Sequence, residues 1–458
     1  NLLSPLLPAG FYYKTFMWPA SFWEKYEFFI RHSAGLGKSP TKPDPDIYDH
    51  KHYHCDVLVV GGGISGIMAA KLSAENNKET LLLDDKNTLG GTTIYQNNDC
   101  FKIDDNHTNY WLEKEIKNIK NIKNLTIKTR TSLAAYHGYN YLLAKENLTD
   151  HLSPDERKGK IRQRLWKIRA KKVIIATGSI ERPLIFNNND RPGIMLSSAI
   201  KKFIDFYGVK AGKEITLFTN NDSAYETAIS LKKSGVNIVS IIDIRDKSSS
   251  KIVKEVEKHN IKIYWKHTIV NTEGYRRISF IEIMQLSDDG SGVIGKKIKL
   301  KTDCLGISGG WTPMVHLFTQ SGGKLKFRSD DNVFLPDKNK TPSDQISIGS
   351  CNGDFDIKDI ILNSNKDVKT FLGIENSSFD NLKVESSKEK MKRNIWLLPS
   401  DKPIGKTKPF LDFQNDSTAK DVKLALREGF KSIEHVKRYT TTGMGTDQGK
   451  LSNMHALG

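Results

Sequence analysis

The stretch from Cys55 to Asp85, CDVLVVGGGISGIMAAKLSAENNKETLLLDD, limits the folds open to this chain more than any other. Residues 57–60 are a continuous apolar run, the pattern of a strand covered on both faces of a parallel sheet. Gly61, Gly63 and Gly66 follow at G-x-G-x-x-G spacing, directly at the end of that run. The first glycine permits a tight turn, the second lets the backbone approach a pyrophosphate, and the third lets helix pack on strand. Residues 64–74 continue as an apolar-rich helix whose free N–H groups and positive dipole end face the phosphates. A second apolar run, residues 80–83, closes on Asp84 and Asp85, and Asp84 lies eighteen residues after Gly66. A carboxylate there accepts hydrogen bonds from ribose hydroxyls. Strand, glycines, helix, strand and acid in this order predict a dinucleotide-binding βαβ unit. The alternative is a structural unit of the same shape with an empty site.

At 458 residues the chain is long for a single core, and two or three domains are expected. The net charge of +17 raises the question of nucleic acid. The lysines are spread along the whole chain beside abundant asparagine and isoleucine, with neither zinc-finger spacing nor an aromatic-basic RNA-binding motif. Composition bias, or a basic face for an acidic partner subunit or an anionic cofactor, accounts for the charge better. The four cysteines, Cys55, Cys100, Cys304 and Cys351, are far apart and form no C-x-x-C, which argues against a redox disulfide or a zinc knuckle. A reducing, cytoplasmic compartment is expected. Residues 11–30 are apolar but interrupted by Lys14, Pro19, Glu24, Lys25 and Glu27, so they read as neither a membrane span nor a signal peptide. The chain starts at Asn1 and ends on Gly458 without a closing element, the pattern of a fragment.

Residues 1–50 read as an aromatic-rich arm and linker. Trp18, Phe22, Trp23, Tyr26 and Phe29 either anchor on another domain or subunit or pack on the chain's own core. Residues 51–210 with 301–376 are expected to form a first, discontinuous nucleotide-binding domain. In it, Gly90 and Gly91 can turn the backbone across a second part of a bound dinucleotide. Residues 97–165 read as a helix plus small antiparallel strands, residues 125–127 among them. A buried strand at residues 172–178 ends in Ala176-Thr177-Gly178, the tripeptide at which two-domain flavoprotein folds leave the first domain.

Residues 211–300 repeat the strand–helix–strand order. Their turn, Thr219-Asn220-Asn221-Asp222-Ser223, lacks the glycines. Side chains there hinder a pyrophosphate and Asp222 repels it, so no dinucleotide is expected to bind in the usual way. Residues 345–353 end a strand at Gly349, with Asp354 just beyond. Both are candidates for contact with the ribityl or ribose-phosphate part of a cofactor, although an acid after a strand is also a common helix cap. Residues 377–394 lack periodicity and read as a linker. Residues 395–458 are expected to be a small, mainly helical segment with an amphipathic helix at 417–430. Its last part, HVKRYTTTGMGTDQGK, concentrates cations, hydroxyls and glycines, which suits an anion such as phosphate or serves simply as a loop.

Six stretches, in chain order, resemble the alpha subunits of heterotetrameric sarcosine oxidases. They are LLSPLLPAGFYYKTFMWPASFWEK, VLVVGGGISG, IIATGSIERP, TNNDSAYETA, SGGWTPMVHLFTQSGGKL and FQNDSTAKDVKLALREGFKSIEHVKRYTTTGMGTDQGK. The first and last are the specific ones, since glycine motifs belong to a whole superfamily. The resemblance implies an α/β fold with two Rossmann-like domains of the pyridine nucleotide-disulfide oxidoreductase type. It also implies the central part of a longer subunit, with a ferredoxin-like segment upstream and an aminomethyltransferase-like, folate-binding domain downstream.

By the same resemblance, NAD is held at Gly61, Gly63, Gly66, Asp84 and Asp85, with Gly90, Gly91, Thr177 and Gly178 nearby. FMN lies at the interface with a beta subunit, FAD in that beta subunit, and tetrahydrofolate in the absent C-terminal domain. With beta, gamma and delta partners, the complex oxidises sarcosine to glycine, giving formaldehyde or 5,10-methylenetetrahydrofolate and hydrogen peroxide. Arg438, Thr441, Thr442 and Lys450 are candidates for the alpha-side contact to the FMN phosphate. No residue reads as a catalytic base for sarcosine, so a cofactor-holding, partner-docking subunit, inactive alone, is expected. The alternatives are a subunit of an opine dehydrogenase or hydrogen cyanide synthase complex, a stand-alone FAD/NAD(P)H oxidoreductase, and a scaffold with an empty site.

Overall fold

The computed structural model describes residues 18–33, 35, 40–95, 101–342, 344–385 and 394–458. Cys100, most of the first resemblance stretch and residues 386–393 of the expected linker lie outside these.

Strand β1 (Ile47–Val60), helix α1 (Ile64–Glu75), strand β2 (Thr80–Leu83) and strand β3 (Ile161–Ile175) form the centre of a seven-stranded sheet. β1 pairs in parallel with β2 on one side and with β3 on the other, Val57 facing Thr80 and Lys172. Both faces are covered where β1, β2 and β3 end, which is why residues 57–60, 81–83 and 173–175 are apolar without alternation. Val57, Val59, Leu82 and Ile174 pack under α1. Leu58, Val60, Leu81, Val173 and Ile175 pack on the other face against Tyr136, Trp166 and Phe318. α1 is buried along almost its whole length, Lys71 included, and the Lys71 ammonium is paired at 2.7 Å with Glu115 of the helix Thr108–Ile119.

The strand Leu125–Lys128 pairs in parallel with β2, a correction to the antiparallel expectation for residues 125–127. The helix Thr108–Ile119 precedes it as a crossover, and a crossover delivers a parallel neighbour. The antiparallel strands of this region are the short pair Lys102–Ile103 and Asn106–His107 and, on the far side of β3, Thr131–His137 and Tyr141–Asn147.

The second unit is built on β4 (Glu214–Thr219), α2 (Ser223–Lys233), β5 (Asn237–Asp243) and β6 (Cys304–Ser308). With Ile194–Leu196 and Ile263–Trp265 at its edges, this five-stranded sheet is parallel throughout, and its strands 194–196 and 304–308 correct the expected boundaries, which gave both to the first domain. The chain returns to the first sheet through β7 (Gln345–Ser347), parallel to β3, and α3 (Ile357–Leu372), whose Ile361 and Val368 join the core under α1. The two passages between the units pair as an antiparallel ribbon, Ser179–Glu181 with Trp311–Pro313.

The C-terminal segment carries the helices Ala419–Arg427, Ile433–Thr440 and Asn453–Leu457 and is fastened mainly to the second unit. Leu398 lies in that unit's core and donates its N–H to the Ile185 carbonyl at 2.9 Å. Asn187 accepts from Lys408 N, and Asn189 both donates to Phe410 O (2.9 Å) and accepts from Phe410 N (2.8 Å). At the junction the buried Arg182 guanidinium lies over the Trp396 ring and donates to the carbonyls of Asn332 and Asp331. His455 meets Trp396 edge-on, and burial beside Arg182 pushes its imidazole down to about 3, so it stays neutral.

Helix Trp23–Ser33 buries none of its residues and Trp18 is 82% exposed, so packing of these aromatics on the chain's own core is not seen among the described residues. None of the described helices is long and apolar enough to cross a membrane.

Replacing Asn189 by Ala leaves both backbone groups of the buried Phe410 without partners. The expected loss is roughly 2–4 kcal/mol, with the C-terminal segment becoming the first part cut in limited proteolysis. Calorimetry with timed protease digestion checks this.

Candidate functional site

Four loops at the carboxyl ends of β1, β2, β3 and β7 converge on the N-terminus of α1. The spacing of the glycines has a separate cause at each position. Gly61 has a φ of +107°, and a Cβ there would lie 2.2 Å from the Ala176 carbonyl of the loop after β3. At Gly66 a Cβ would lie 1.8 Å from the Gly61 oxygen, so the third glycine sets how closely α1 approaches β1. Gly63 is different: a Cβ there meets nothing nearer than the Gly91 Cα at 4.0 Å. No protein group requires that glycine, and the space in front of it is what a pyrophosphate needs. Gly63 is also the N-cap of α1 with no side chain capping the helix, which leaves the first-turn N–H groups to an anion.

Gly90 and Gly91 form the facing wall. The Gly90 N–H donates to the Gly62 carbonyl at 2.8 Å, and a Cβ on Gly91 would come within 3.0 Å of the Gly63 Cα. Asp84 folds back across the base of the crevice. Its Oδ2 accepts from Gly62 N at 2.5 Å and its Oδ1 from Lys86 N at 2.8 Å, while burial raises its pKa against those bonds. Asp85 faces solvent and pairs with Lys86 at 2.8 Å.

On the opposite side, the Thr177 hydroxyl donates to Met314 O and Met314 N donates to Gly178 O, tying this wall to the returning passage. Gly178, at φ +75°, faces the Ser350 hydroxyl, which lies 3.9 Å from the position of a Cβ there. Gly349 is required by a protein neighbour, since a Cβ there would lie 2.3 Å from Ser65 Oγ, itself hydrogen-bonded to Ser364.

Asp354 stands apart from this convergence. Its Oδ1 accepts from Asn363 of α3, its Oδ2 is buried without a partner, and burial with Asp367 and Asp359 nearby pushes its carboxyl up to about 6. Asp356, not Asp354, caps α3 by accepting from Lys358 N. Ser350 is the residue after this strand that faces the crevice, and sequence reasoning missed it by following the acid.

The C-terminal candidates separate into two kinds. Arg438, Thr441 and Lys450 are exposed. Thr442 differs from them, its side chain buried and its hydroxyl bonded to that of Thr440 at 2.8 Å. Lys450 lies within electrostatic reach of His316 and, after burial, is the cause that lowers that imidazole's pKa. His316 is two residues from Met314, so the C-terminal loop and the Thr177–Gly178 wall are near neighbours.

The second crevice is filled by its own side chains. Asn221 donates to Ser308 and accepts from Ser223 N at 3.0 Å. Arg245 bridges Asp222 (2.9 Å) and the fully buried Asp243 (2.8 Å), and Tyr225 donates to Asp243 as well. The acid at the end of β5, where a ribose would bind, is therefore already satisfied within the protein. These residues do not fit a dinucleotide, and those of the first crevice do.

Gly63→Ala is expected to fold with a stability change of roughly 0.5 kcal/mol or less and to lose dinucleotide binding, whereas Gly66→Ala fails to fold. Thermal melts with and without added dinucleotide separate the two. Asp354 holds its proton more tightly in the folded chain than in the unfolded one, where the carboxyl has its ordinary value of 3.8. Its contribution to stability therefore falls as the pH rises through about 4 to 6. Asp354→Asn should raise the melting temperature above pH 7 and leave it unchanged near pH 4.

Residues 406–458 match the family model of the sarcosine oxidase A3 domain, and residues 55–358 that of the pyridine nucleotide-disulphide oxidoreductases. The chain is 34% identical to sarcosine oxidase subunit alpha of Rhizobium meliloti (strain 1021), over 100% of this chain and 45% of that protein. It is 34% identical to sarcosine oxidase subunit alpha of Corynebacterium sp. (strain P-1), over 93% of this chain and 44% of that protein. The chain thus spans less than half the length of these relatives. Among solved structures, L-proline dehydrogenase from P. horikoshii superposes with a TM-score of 0.62 at 19% identity, over 92% of this chain and 76% of that one, a likeness of fold. The chain belongs to the pyridine nucleotide-disulphide oxidoreductase family, carries a sarcosine oxidase A3 domain at residues 406–458, and matches sarcosine oxidase alpha subunits along its whole length.

Proposed function

We propose that this chain is the NAD-holding part of an alpha subunit in a heterotetrameric complex with beta, gamma and delta subunits. The complex oxidises sarcosine to glycine and releases hydrogen peroxide with formaldehyde or 5,10-methylenetetrahydrofolate. The observation that carries this reading is the whole-length match to sarcosine oxidase alpha subunits, with the A3 domain at residues 406–458. A glycine motif alone would not choose among oxidoreductases.

In this reading Gly61, Gly63 and Gly66 hold the NAD pyrophosphate with the α1 N-terminus. Gly90, Gly91 and Gly178 give the backbone close approach, and Asp84 receives the adenosine ribose. A carboxylate at that position repels a 2′-phosphate, which favours NAD over NADP. The filled second crevice supports a chain that does not pass hydride from NADH to a flavin by itself. FAD belongs to the beta subunit and tetrahydrofolate to a further domain of the longer subunit. FMN sits at the interface with beta, and its phosphate is met by Arg438, Thr441 and Lys450. Their exposure and the nearness of Lys450 to His316 support that assignment. The buried free thiols Cys55, Cys304 and Cys351 fit a cytoplasmic location.

Mass spectrometry of the small molecules released on denaturation tests the reading. NAD is expected from this chain alone, with FMN and FAD appearing only after a beta-type partner is added. FAD released from the isolated chain would overturn the NAD assignment and make the chain a flavoenzyme in its own right.

A further inference from the structure

We propose that the second unit acts as a clamp on the loop that walls the first unit's crevice, with Lys201 as a positioning residue for the bound dinucleotide that acts through Tyr95. The proposal rests on the reading of the first crevice as a dinucleotide site.

The turn Gly91–Tyr95 runs directly from the crevice wall, where Gly90 N donates to Gly62 O and Thr93 N donates to Gly90 O. Its far end is held from the other unit. Lys201, in the helix Ser197–Asp205, is 7% exposed and donates from Nζ to the Tyr95 carbonyl at 2.5 Å and to Asp205 at 2.7 Å. Asp205 is in turn held by the Ser230 hydroxyl of α2 at 2.8 Å. The Tyr95 ring meets Phe206 edge-on at 5.5 Å, and the Lys202 ammonium lies 5.7 Å from its centroid. Three contacts from one stretch of the second unit, residues 201–206, thus converge on a single residue of the first unit's loop.

The bond from this buried ammonium to a carbonyl 106 residues away lies outside the second unit's own packing. It is needed if that carbonyl must stay in place. The same ammonium lies within electrostatic reach of buried acids of the second unit. Glu226 of α2 is pushed up to about 7 by burial, Asp222, Glu181 and Asp205 act in the same direction, and Lys201 opposes them. Asp205, itself held by Ser230, therefore fixes the Lys201 ammonium, and Lys201 fixes the wall of the first site.

Calorimetric titration with NAD and stopped-flow measurement of its release, on the full chain, test the clamp. Lys201→Met is expected to weaken NAD binding about tenfold, the size of one lost charge-assisted hydrogen bond. Phe206→Ala removes a ring that is 38% exposed and belongs to none of the buried cores. It is expected to speed NAD release several-fold while the melting temperature of the ligand-free chain stays unchanged, a separation that a purely structural role would not give. If Lys201→Met fails to fold, Phe206→Ala alone decides. NAD affinity and release within about twofold of the parent in the folded variants overturns the clamp. A parent chain that binds no NAD overturns the dinucleotide reading and the clamp with it.

Discussion

The distance between α1 and β1 is set by backbone meeting backbone. With a Cβ on Gly66 lying 1.8 Å from the Gly61 oxygen, the helix sits as close to the strand as two main chains allow. Much else follows from that approach. It brings Ile67 and Leu72 into one core with Val57, Val59 and Leu82, and it leaves α3 a surface to pack on through Ile361 and Val368. It also puts Ser65 against Gly349, so that the last strand's loop must be glycine where it passes the helix. The crevice is thus shaped by packing at Gly61, Gly66 and Gly349, and only at Gly63 by the space a ligand would take.

The two units show how a shared topology tolerates opposite fates at its turn. Much of the core of the second unit, Ile215, Leu217, Ala228 and Ile241 among it, is contributed by residues outside the Asn220–Ser223 turn. Glycines there could be exchanged for Asn221 and Asp222 once polar partners were present, and Ser308, Arg245 and Asp243 supply them. A buried guanidinium between two carboxylates satisfies charges that would otherwise be costly at that depth. The result is a Rossmann-like unit whose interior resembles its neighbour's and whose mouth is closed.

The first βαβ unit, the degenerate second turn and the helical end were all legible in the sequence, because strand, glycine and helix signals there are local. What stayed hidden was fixed by distant partners. Residues 125–127 are short and apolar, and nothing in so short a run tells parallel from antiparallel; the preceding crossover helix decided it. Thr442 carries the same hydroxyl as its exposed neighbour Thr441, and only the fold of the loop around Thr440 turns it inward. Asp354 drew attention as an acid after a strand, while the side chain beside Gly178 is the neutral Ser350. Lys201 reads as one more lysine in a lysine-rich chain until Tyr95 is seen beside it.

The fastening of the C-terminal segment has a mechanical side. It is anchored to the second unit through Asn187, Asn189 and Leu398, it stacks Trp396 under Arg182 at the end of the paired passages, and it brings Lys450 to His316 beyond them. The ribbon Ser179–Glu181 with Trp311–Pro313 is the natural pivot between the units. A strut attached on both sides of a pivot stiffens it. Bending there would have to drag the half-buried Trp396 from under Arg182 and stretch the bonds at Phe410, so the joint is braced and the two crevices are held in one orientation.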